Sequence, residues 1–114
     1  MTRDELETFN ADWLQAWTEK DIPRIAALYA EDCLYQDNAM PAGLNGRAAL
    51  LGYIGKLFPA VPDWTYTPDE LWPVDGGFCA RWFLDMGGKR FRGFELVKLR
   101  GREIVLNEVY THEI

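Results

Sequence analysis

The stretch ALYAEDCLYQD, residues 27–37, joins the end of a helical apolar pattern to the start of a short strand. Within that strand Tyr35 and Asp37 are two positions apart, and side chains at i and i+2 of a strand point to the same face. A phenol and a carboxylate are therefore expected to face one space, close behind a helix that shields it from water. A carboxylate beside a hydrogen-bond donor is the smallest set of groups that can transfer a proton or bind a polar group of a small ligand.

Two amphipathic helices are predicted before this strand. Thr2 and Glu5 have the spacing of a capping box, and Asp21 is a candidate N-cap for the second helix. The apolar residues of the first helix recur at helical spacing, and they are Leu6, Phe9, Trp13, Ala16 and Trp17. The second apolar stripe lies within residues 22–29, so both helices have one face suited to a shared core.

A third helix is predicted over Arg47–Phe58, after a loop over residues 38–46, and Pro59 and Pro62 are expected to end it. Gly52 and Gly55 each weaken this helix by about 1 kcal/mol relative to alanine. That cost suggests that another part of the backbone packs closely against the two glycines.

Four strands are predicted in the second half of the chain, over residues 64–74, 78–86, 89–99 and 103–112. Tight turns rich in glycine separate them, which makes consecutive strands antiparallel neighbours. The order α-α-β-α-β-β-β-β separates the helices from a strand meander and predicts one α+β domain over residues 1–114. Residues 89–96 mix polar and apolar side chains on both faces, so we expect a polar pocket on the inner face and a partner subunit on the outer face.

Composition narrows the class of function. The net charge of −6 argues against nucleic acid as a partner, because phosphate binding needs a basic surface. No apolar run reaches the roughly 20 residues that span a bilayer, and the acidic N-terminus does not resemble a secretory signal, so we expect a cytoplasmic chain. Cys33 and Cys79 lack metal-ligand spacing and are interpreted as small core residues, although a disulfide stays open.

The charged candidates each have an ordinary structural alternative. Asp37 could simply cap a turn, because aspartate is a common turn former. Asp85 could be a solvated strand end, and Arg92 could be one partner in a cross-strand ion pair. Mid-strand Glu95 and Glu108 must face water, a partner or the pocket. His112 is the only histidine and lies near the C-terminus, and of the five tryptophans one or two are expected to line an apolar cavity.

Three segments resemble the SnoaL-like group of the nuclear transport factor 2-like superfamily, namely residues 28–37, residues 43–50, and residues 92–99 running on to Ile104 and Tyr110. The resemblance covers nearly the whole chain. It implies three helices packed in the concave face of a curved, mostly antiparallel sheet, a cone-shaped α+β barrel. It also implies a cavity for a small hydrophobic ligand and a homodimer formed through the sheet.

Two enzyme groups within this superfamily give residue roles. The comparison with ketosteroid isomerases matches Asp37 to the carboxylate that shuttles a proton. In the same comparison Trp13 takes the position of a tyrosine that donates a hydrogen bond to an oxyanion, and Arg92 lies near the position of the second such donor. Against limonene epoxide hydrolases, Tyr35 matches a tyrosine that positions water, and Asp85 matches one aspartate. The polyketide cyclases of the SnoaL type imply an acid or base carboxylate that acts on an acidic carbon of the bound substrate.

Residues and resemblance together predict a cofactor-independent enzyme that acts on a hydrophobic ligand as an isomerase, cyclase, dehydratase or hydrolase. Asp37 is the expected acid or base, with Tyr35 and Arg92 orienting the substrate. The other expected pocket residues are Trp13, Trp17, Tyr53, Phe58, Trp64, Asp85, Phe94, Glu108 and His112. Two alternatives stay open, a non-catalytic module that binds such a ligand and a dimeric interaction domain. No metal or cofactor is expected.

Overall fold

The computed structural model describes all 114 residues. The helices are α1 (Arg3–Thr18), α2 (Ile22–Leu28) and α3 (Arg47–Ala60). The strands are β1 (Tyr29–Gln36), β2 (Leu44–Asn45), β3 (Trp64–Val74), β4 (Gly77–Met86), β5 (Lys89–Arg100) and β6 (Glu103–Glu113). The predicted loop over residues 38–46 thus contains a short strand that the sequence pattern did not indicate.

The six strands form one sheet in the order β2-β1-β6-β5-β4-β3. Strands β3 to β6 are the predicted antiparallel meander, and β1 joins it by pairing with β6 in parallel. Register shifts interrupt β3 between Pro68 and Glu70 and the β5–β6 pairing between Lys98 and Leu99, and such shifts bend strands. The result is the predicted α+β fold with a curved, mostly antiparallel sheet, which stays open between its edges β2 and β3.

Local capping explains where the first two helices begin. Thr2 Oγ1 accepts a hydrogen bond from the Glu5 amide at 3.2 Å, and Glu5 Oε1 accepts one from the Thr2 amide at 2.9 Å, which confirms the capping box. Asp21 Oδ1 caps α2 by accepting from the Arg24 amide at 3.1 Å. Helix α3 continues through Pro59 to Ala60, two residues beyond the predicted end at Phe58.

The core lies between the helices and one face of the sheet. Strand β4 alternates strictly, so that Phe78, Ala80, Trp82 and Leu84 are buried against the helices. Cys79 belongs to the alternate set and is only half-buried, so it is not the core residue that was predicted, whereas Cys33 is buried. Both thiols are free.

The two glycines of α3 do not mark a close approach of backbones. A Cβ atom placed on Gly52 or Gly55 meets nothing within 4 Å, because both positions lie on the exposed side of the helix. The expectation of tight packing there was wrong, and the glycines only weaken the helix. None of the three helices is both long enough and apolar enough to cross a bilayer.

Candidate functional site

Asp37 lies one residue beyond the end of β1 and accepts four hydrogen bonds. Its Oδ2 atom accepts from the Tyr35 hydroxyl at 2.7 Å and from the Tyr53 hydroxyl at 2.8 Å. Its Oδ1 atom accepts from the amides of Ala39 at 2.9 Å and Met40 at 2.8 Å. A carboxylate offers about four lone-pair directions, so this side chain is saturated by protein donors.

The two phenols reach Asp37 from different elements. Tyr35 comes from β1 and is 4% exposed, whereas Tyr53 comes from α3 and is half-buried. Burial, and after it the nearby Asp37 charge, raises the pKa of Tyr35 well above its usual range. Burial and the hydrogen bond to Asp37 raise the pKa of Tyr53 in the same direction. Both hydroxyls therefore keep their protons and act as donors.

The loop that follows Asp37 is held at its start by hydrogen bonds to Asp37 and to β6. The hydrogen bonds from the amides of Ala39 and Met40 to Asp37 close a turn, which is the structural role that aspartate often has at such positions. Asn38 Nδ2 donates to the Thr111 carbonyl at 2.8 Å, and the Thr111 amide donates to Asn38 Oδ1 at 3.1 Å. This reciprocal pair ties the start of the loop to β6, directly beside the phenol–carboxylate cluster.

Asp37 borders a cavity of about 270 Å³ between the helices and the inner face of the sheet. Its lining is mostly apolar and comprises Trp17, Tyr35, Asp37, Asn38, Ala39, Leu57, Val61, Trp64, Tyr66, Trp82, Leu84, Met86, Val109 and Thr111. A smaller recess of about 20 Å³ adjoins it and shares five of these side chains. Trp13 lines only the recess.

Trp17 is at the centre of the aromatic wall. Its ring stacks on Tyr35 at a centroid distance of 6.2 Å and meets Phe58 edge-on at 5.6 Å. Tyr66 packs edge-on against Trp64 at 5.2 Å and against Trp82 at 5.0 Å. Edge-on and offset pairs of this kind are favourable in cores, so the wall is well packed.

Several expected pocket residues are in place. Tyr35, Asp37, Trp17 and Trp64 line the cavity. Tyr53 joins the cluster through Asp37, and Trp13 borders the recess and donates from Nε1 to the Tyr29 hydroxyl at 3.1 Å. Phe58 does not line the cavity but packs behind Trp17 and Trp64.

Four expected residues lie on the opposite, outer face of the sheet, and their placement at the pocket was wrong. They are Arg92, Phe94, Glu108 and His112. On β5 the buried positions are Gly93, Glu95 and Val97, and on β6 they are Ile104, Asn107 and Val109. Because side chains alternate along a strand, the residues between them must point away from the helices.

Asp85 is also outside the cavity. It is exposed near the end of β4, and its carboxylate lies 3.5 Å from the Arg90 guanidinium. The ordinary alternative, a solvated strand end with an ion pair, describes this residue.

Residues absent from the predicted set complete the cavity. Trp82, which was not among the expected pocket residues, lines it together with Trp17 and Trp64. Tyr66 is two positions after Trp64 on β3, and this i, i+2 spacing was the available sequence signal. Val109 and Thr111 line the cavity from the inner face of β6, and no comparable sequence pattern marks them.

Glu95 is the other unpredicted feature, a fully buried carboxyl on the inner face of β5. Asn107 Nδ2 donates to its Oε2 atom at 3.2 Å, and Tyr29 donates to Asn107 Oδ1 at 2.7 Å. Its Oε1 atom has no hydrogen-bond partner. Burial raises the pKa of Glu95 well above its usual range and thereby favours the neutral form of the side chain.

Comparison with known proteins establishes the family. A family model described as a SnoaL-like domain matches residues 11–107, and the chain therefore belongs to this family. This confirms the resemblance read from the sequence. No curated protein matches the chain at a significant level.

Solved structures show the same fold at low sequence identity. A protein of ketosteroid isomerase-like fold from Catenulispora acidiphila DSM 44928, in complex with trimethylamine, has a TM-score of 0.77 and 20% identity over 90% of this chain and 83% of that one. A SnoaL-like protein of unknown function from Burkholderia thailandensis E264 gives 0.79 and 15%, over 99% and 97%. A candidate isomerase from Bacillus subtilis gives 0.82 and 20%, over 98% and 90%.

Proposed function

We propose that this chain is a cofactor-independent enzyme that binds a small hydrophobic molecule and transfers a proton through Asp37. The reaction type is isomerisation, cyclisation, dehydration or hydrolysis. The observation that carries the proposal is the position of Asp37, whose carboxylate borders a cavity walled by aromatic side chains. Proton transfer benefits from such a setting, because an apolar surround strengthens the interaction of the carboxylate with a substrate.

The hydrogen bonds of Asp37 define what the reaction requires. All of its lone-pair directions are occupied, so a proton can reach the carboxylate only when one donor withdraws. Tyr53 is the donor suited to this, because it is half-buried on α3, whereas Tyr35 is enclosed in the core. A substrate that displaces the Tyr53 hydroxyl meets Oδ2, while Tyr35 keeps the carboxylate oriented.

Relatives support a small ligand and this class of chemistry. The protein from Catenulispora acidiphila was solved with trimethylamine, and the protein from Bacillus subtilis is named as a candidate isomerase. At 20% identity the likeness shows the shared fold alone, so the ligand of one protein and the activity named for the other only support the proposal.

The test begins with a thermal-shift screen of small apolar carbonyls, epoxides, steroids and aromatic polyketides. A ligand at 100 times its dissociation constant adds about 2.7 kcal/mol to the free energy of unfolding, which a domain of this size reports clearly. Hits are then assayed for turnover with wild type, Asp37→Asn and Asp32→Asn. Asp32 is the matched control, because it lies on β1 just before Asp37, is exposed and pairs with Arg100 at 2.7 Å.

We expect Asp37→Asn to lose turnover by at least about a hundredfold, the lower range of a general acid–base contribution. Asp32→Asn should retain it. Full turnover in a folded Asp37→Asn chain would sink the catalytic assignment.

One observation favours a second candidate, a module that binds the ligand without transforming it. The saturated hydrogen bonding of Asp37 is what a fixed structural anion needs, and a base needs a free lone pair. For such a module Asp37→Asn alters ligand affinity, and wild type consumes none of the ligands it binds.

We also propose that the outer face of the sheet pairs two copies of the chain. Phe94 and Tyr110 are opposite each other on β5 and β6 and stay 44% and 51% exposed. Arg92 and Glu108 lie on the same face and supply both signs of charge, which a two-fold axis can bring together. Light scattering should give a dimer for wild type and a monomer for Phe94→Asp. A wild-type monomer would contradict the pairing.

A further inference from the structure

We propose that the ligand of this cavity is an organic cation, an ammonium group that carries apolar substituents. This inference rests on the proposed function only in taking the cavity as the ligand site, and it adds the chemical class of the ligand. Three features of the cavity support it: the charge of its lining, its aromatic rings and its inner recess.

The charge of the lining has one sign. Asp37 is the only acidic side chain that borders the cavity, and no lysine, arginine or histidine borders it. The hydroxyl protons of Tyr35 and Tyr53 are already directed at Asp37, so they are not available to hold an anion. The remaining phenol, Tyr66, is neutral and accepts hydrogen bonds as readily as it donates them. A cation is the ligand that complements this lining.

The walls supply the second requirement, which is a lining of aromatic rings. Trp17, Tyr35, Tyr66 and Trp82 all border both the cavity and its recess. The faces of aromatic rings carry partial negative charge and attract a cation within about 6 Å of the ring centre, tryptophan most strongly. Four such rings around one space, with a carboxylate at its border, form an arrangement suited to an ammonium group.

The chain already places an ammonium group on a ring of this cluster. Lys20 Nζ lies 5.5 Å from the centre of the Trp64 ring, and it donates to the carbonyls of Phe58, Val61 and Pro62 at 3.1, 3.0 and 3.2 Å. Those carbonyls account for the three protons of the ammonium group, so Lys20 is committed to the chain end of α3. The contact shows that the Trp64 ring, which also lines the cavity, accepts an ammonium group from outside it.

The recess sets the size of the group that enters first. Its volume of about 20 Å³ suits one water-sized or methyl-sized group. All six of its lining residues are hydrophobic, and the Nε1 atoms of Trp17 and Trp82 are buried without accessible surface. Both Nε1 atoms lack a hydrogen-bond partner, but neither presents a surface to the recess, so an N-methyl group suits this apolar space better than a water molecule does.

The overall charge acts in the same direction. The chain has a net charge of −6, which raises the concentration of cations near its surface and lowers that of anions. Long-range attraction of this kind falls as ionic strength rises.

The experiment compares choline with 3,3-dimethylbutan-1-ol, its neutral carbon isostere, by titration calorimetry and tryptophan fluorescence on the whole chain. The two probes have nearly the same shape and differ in charge. We expect choline to bind at least about tenfold more tightly, and its affinity to fall with added salt while that of the alcohol does not. Equal affinities for the two probes would overturn the inference.

Variants locate the binding. Asp37→Asn should weaken choline binding about tenfold and leave the alcohol unchanged. Tyr66→Leu should weaken choline binding severalfold, whereas Tyr66→Phe, which keeps the ring face, should not. A choline affinity unchanged in both Asp37→Asn and Tyr66→Leu would place the cation elsewhere and overturn the inference. The salt dependence and the probe ratio of wild type keep the test decisive if Asp37→Asn fails to fold.

Two outcomes separate this inference from the proposed function. If the alcohol or another neutral compound binds in the cavity and is turned over while choline does not bind, the inference fails and the enzyme assignment stands. If choline binds with the expected dependence on Asp37 and no cationic or neutral ligand is ever turned over, the inference stands and the enzyme assignment fails.

Discussion

The hydroxyl of Tyr35 lies 2.7 Å from Oδ2 of Asp37, although Asp37 has already left the strand that carries Tyr35. The i, i+2 spacing directs both side chains to one side, and the turn that begins at Asp37 holds the carboxylate there through two amides. Local sequence thus makes one half of the site. Tyr53, sixteen residues later, brings the second phenol from α3.

The first prediction concerns the stability of the Asp37 cluster. Asp37→Asn replaces an acceptor of two phenols by an amide nitrogen and should lower the free energy of unfolding by about 1–3 kcal/mol, the usual cost of disrupting a buried polar network. Urea denaturation measures the change. Asp32→Asn removes only an exposed ion pair and should leave the free energy of unfolding nearly unchanged. Equal effects of the two substitutions would show that the hydrogen bonds of Asp37 add no more to the free energy of unfolding than an exposed ion pair does.

The second prediction separates the two phenols. Tyr35→Phe removes a donor from a buried hydroxyl bonded to a charged group and should cost about 1.5–3 kcal/mol. Tyr53→Phe removes the same kind of bond at a half-buried position, where water can replace the lost donor, and should cost less. Urea denaturation of the two variants side by side gives the order. A larger cost for Tyr53→Phe would reverse the roles assigned to the fixed and the displaceable donor.

The third prediction concerns Gly93, which is paired with Trp82 across β5 and β4. A Cβ atom at Gly93 would overlap ring atoms of Trp82, so Gly93→Ala must push the indole away. Overpacking of this kind costs about 1–3 kcal/mol, and the shift should also weaken any ligand held against Trp82. Gly55→Ala is the matched control.

At Gly55 an added methyl group meets nothing within 4 Å, and the residue is exposed on a helix. Gly55→Ala should therefore stabilise the chain by about 0.5–1 kcal/mol. Thermal and urea unfolding of both variants provide the measurement. If Gly93→Ala left the free energy of unfolding unchanged, Trp82 would have room to move. The cavity wall would then be less tightly packed than the contacts of Trp82 indicate.

The fourth prediction concerns pH and Glu95. Folding raises the pKa of this carboxyl well above the value of 4.5 usual for glutamic acid, so the folded chain keeps a proton that the unfolded chain releases. Stability should therefore fall as pH rises from the unfolded pKa toward the raised folded pKa, by up to about 1.4 kcal/mol per pH unit.

Glu95→Gln removes this titration and keeps an acceptor for Asn107 Nδ2. The variant should gain stability relative to wild type as pH rises above the unfolded pKa, and the two should converge below it. Urea denaturation across this pH range gives both profiles. Parallel profiles would show that Glu95 does not titrate differently in the folded and unfolded chain.

The sequence alone determined the elements of this protein and one part of its site. Capping residues, helical apolar spacing and glycine turns act between neighbours on the chain, so Thr2, Asp21 and the turn at Gly87 needed no tertiary information. The resemblance gave the fold, and the spacing of Tyr35 and Asp37 placed these two side chains together for the same local reason.

Only the tertiary structure decided which face of each strand meets the helices. A shift of one residue exchanges the two faces of a strand, and the mixed pattern of β5 left that choice open. Arg92 therefore lies outside the core, and the fully buried carboxyl is that of Glu95. The cavity has the same origin, since Trp17, Tyr66 and Trp82 come from three elements far apart on the chain, and only their packing against one another encloses a space.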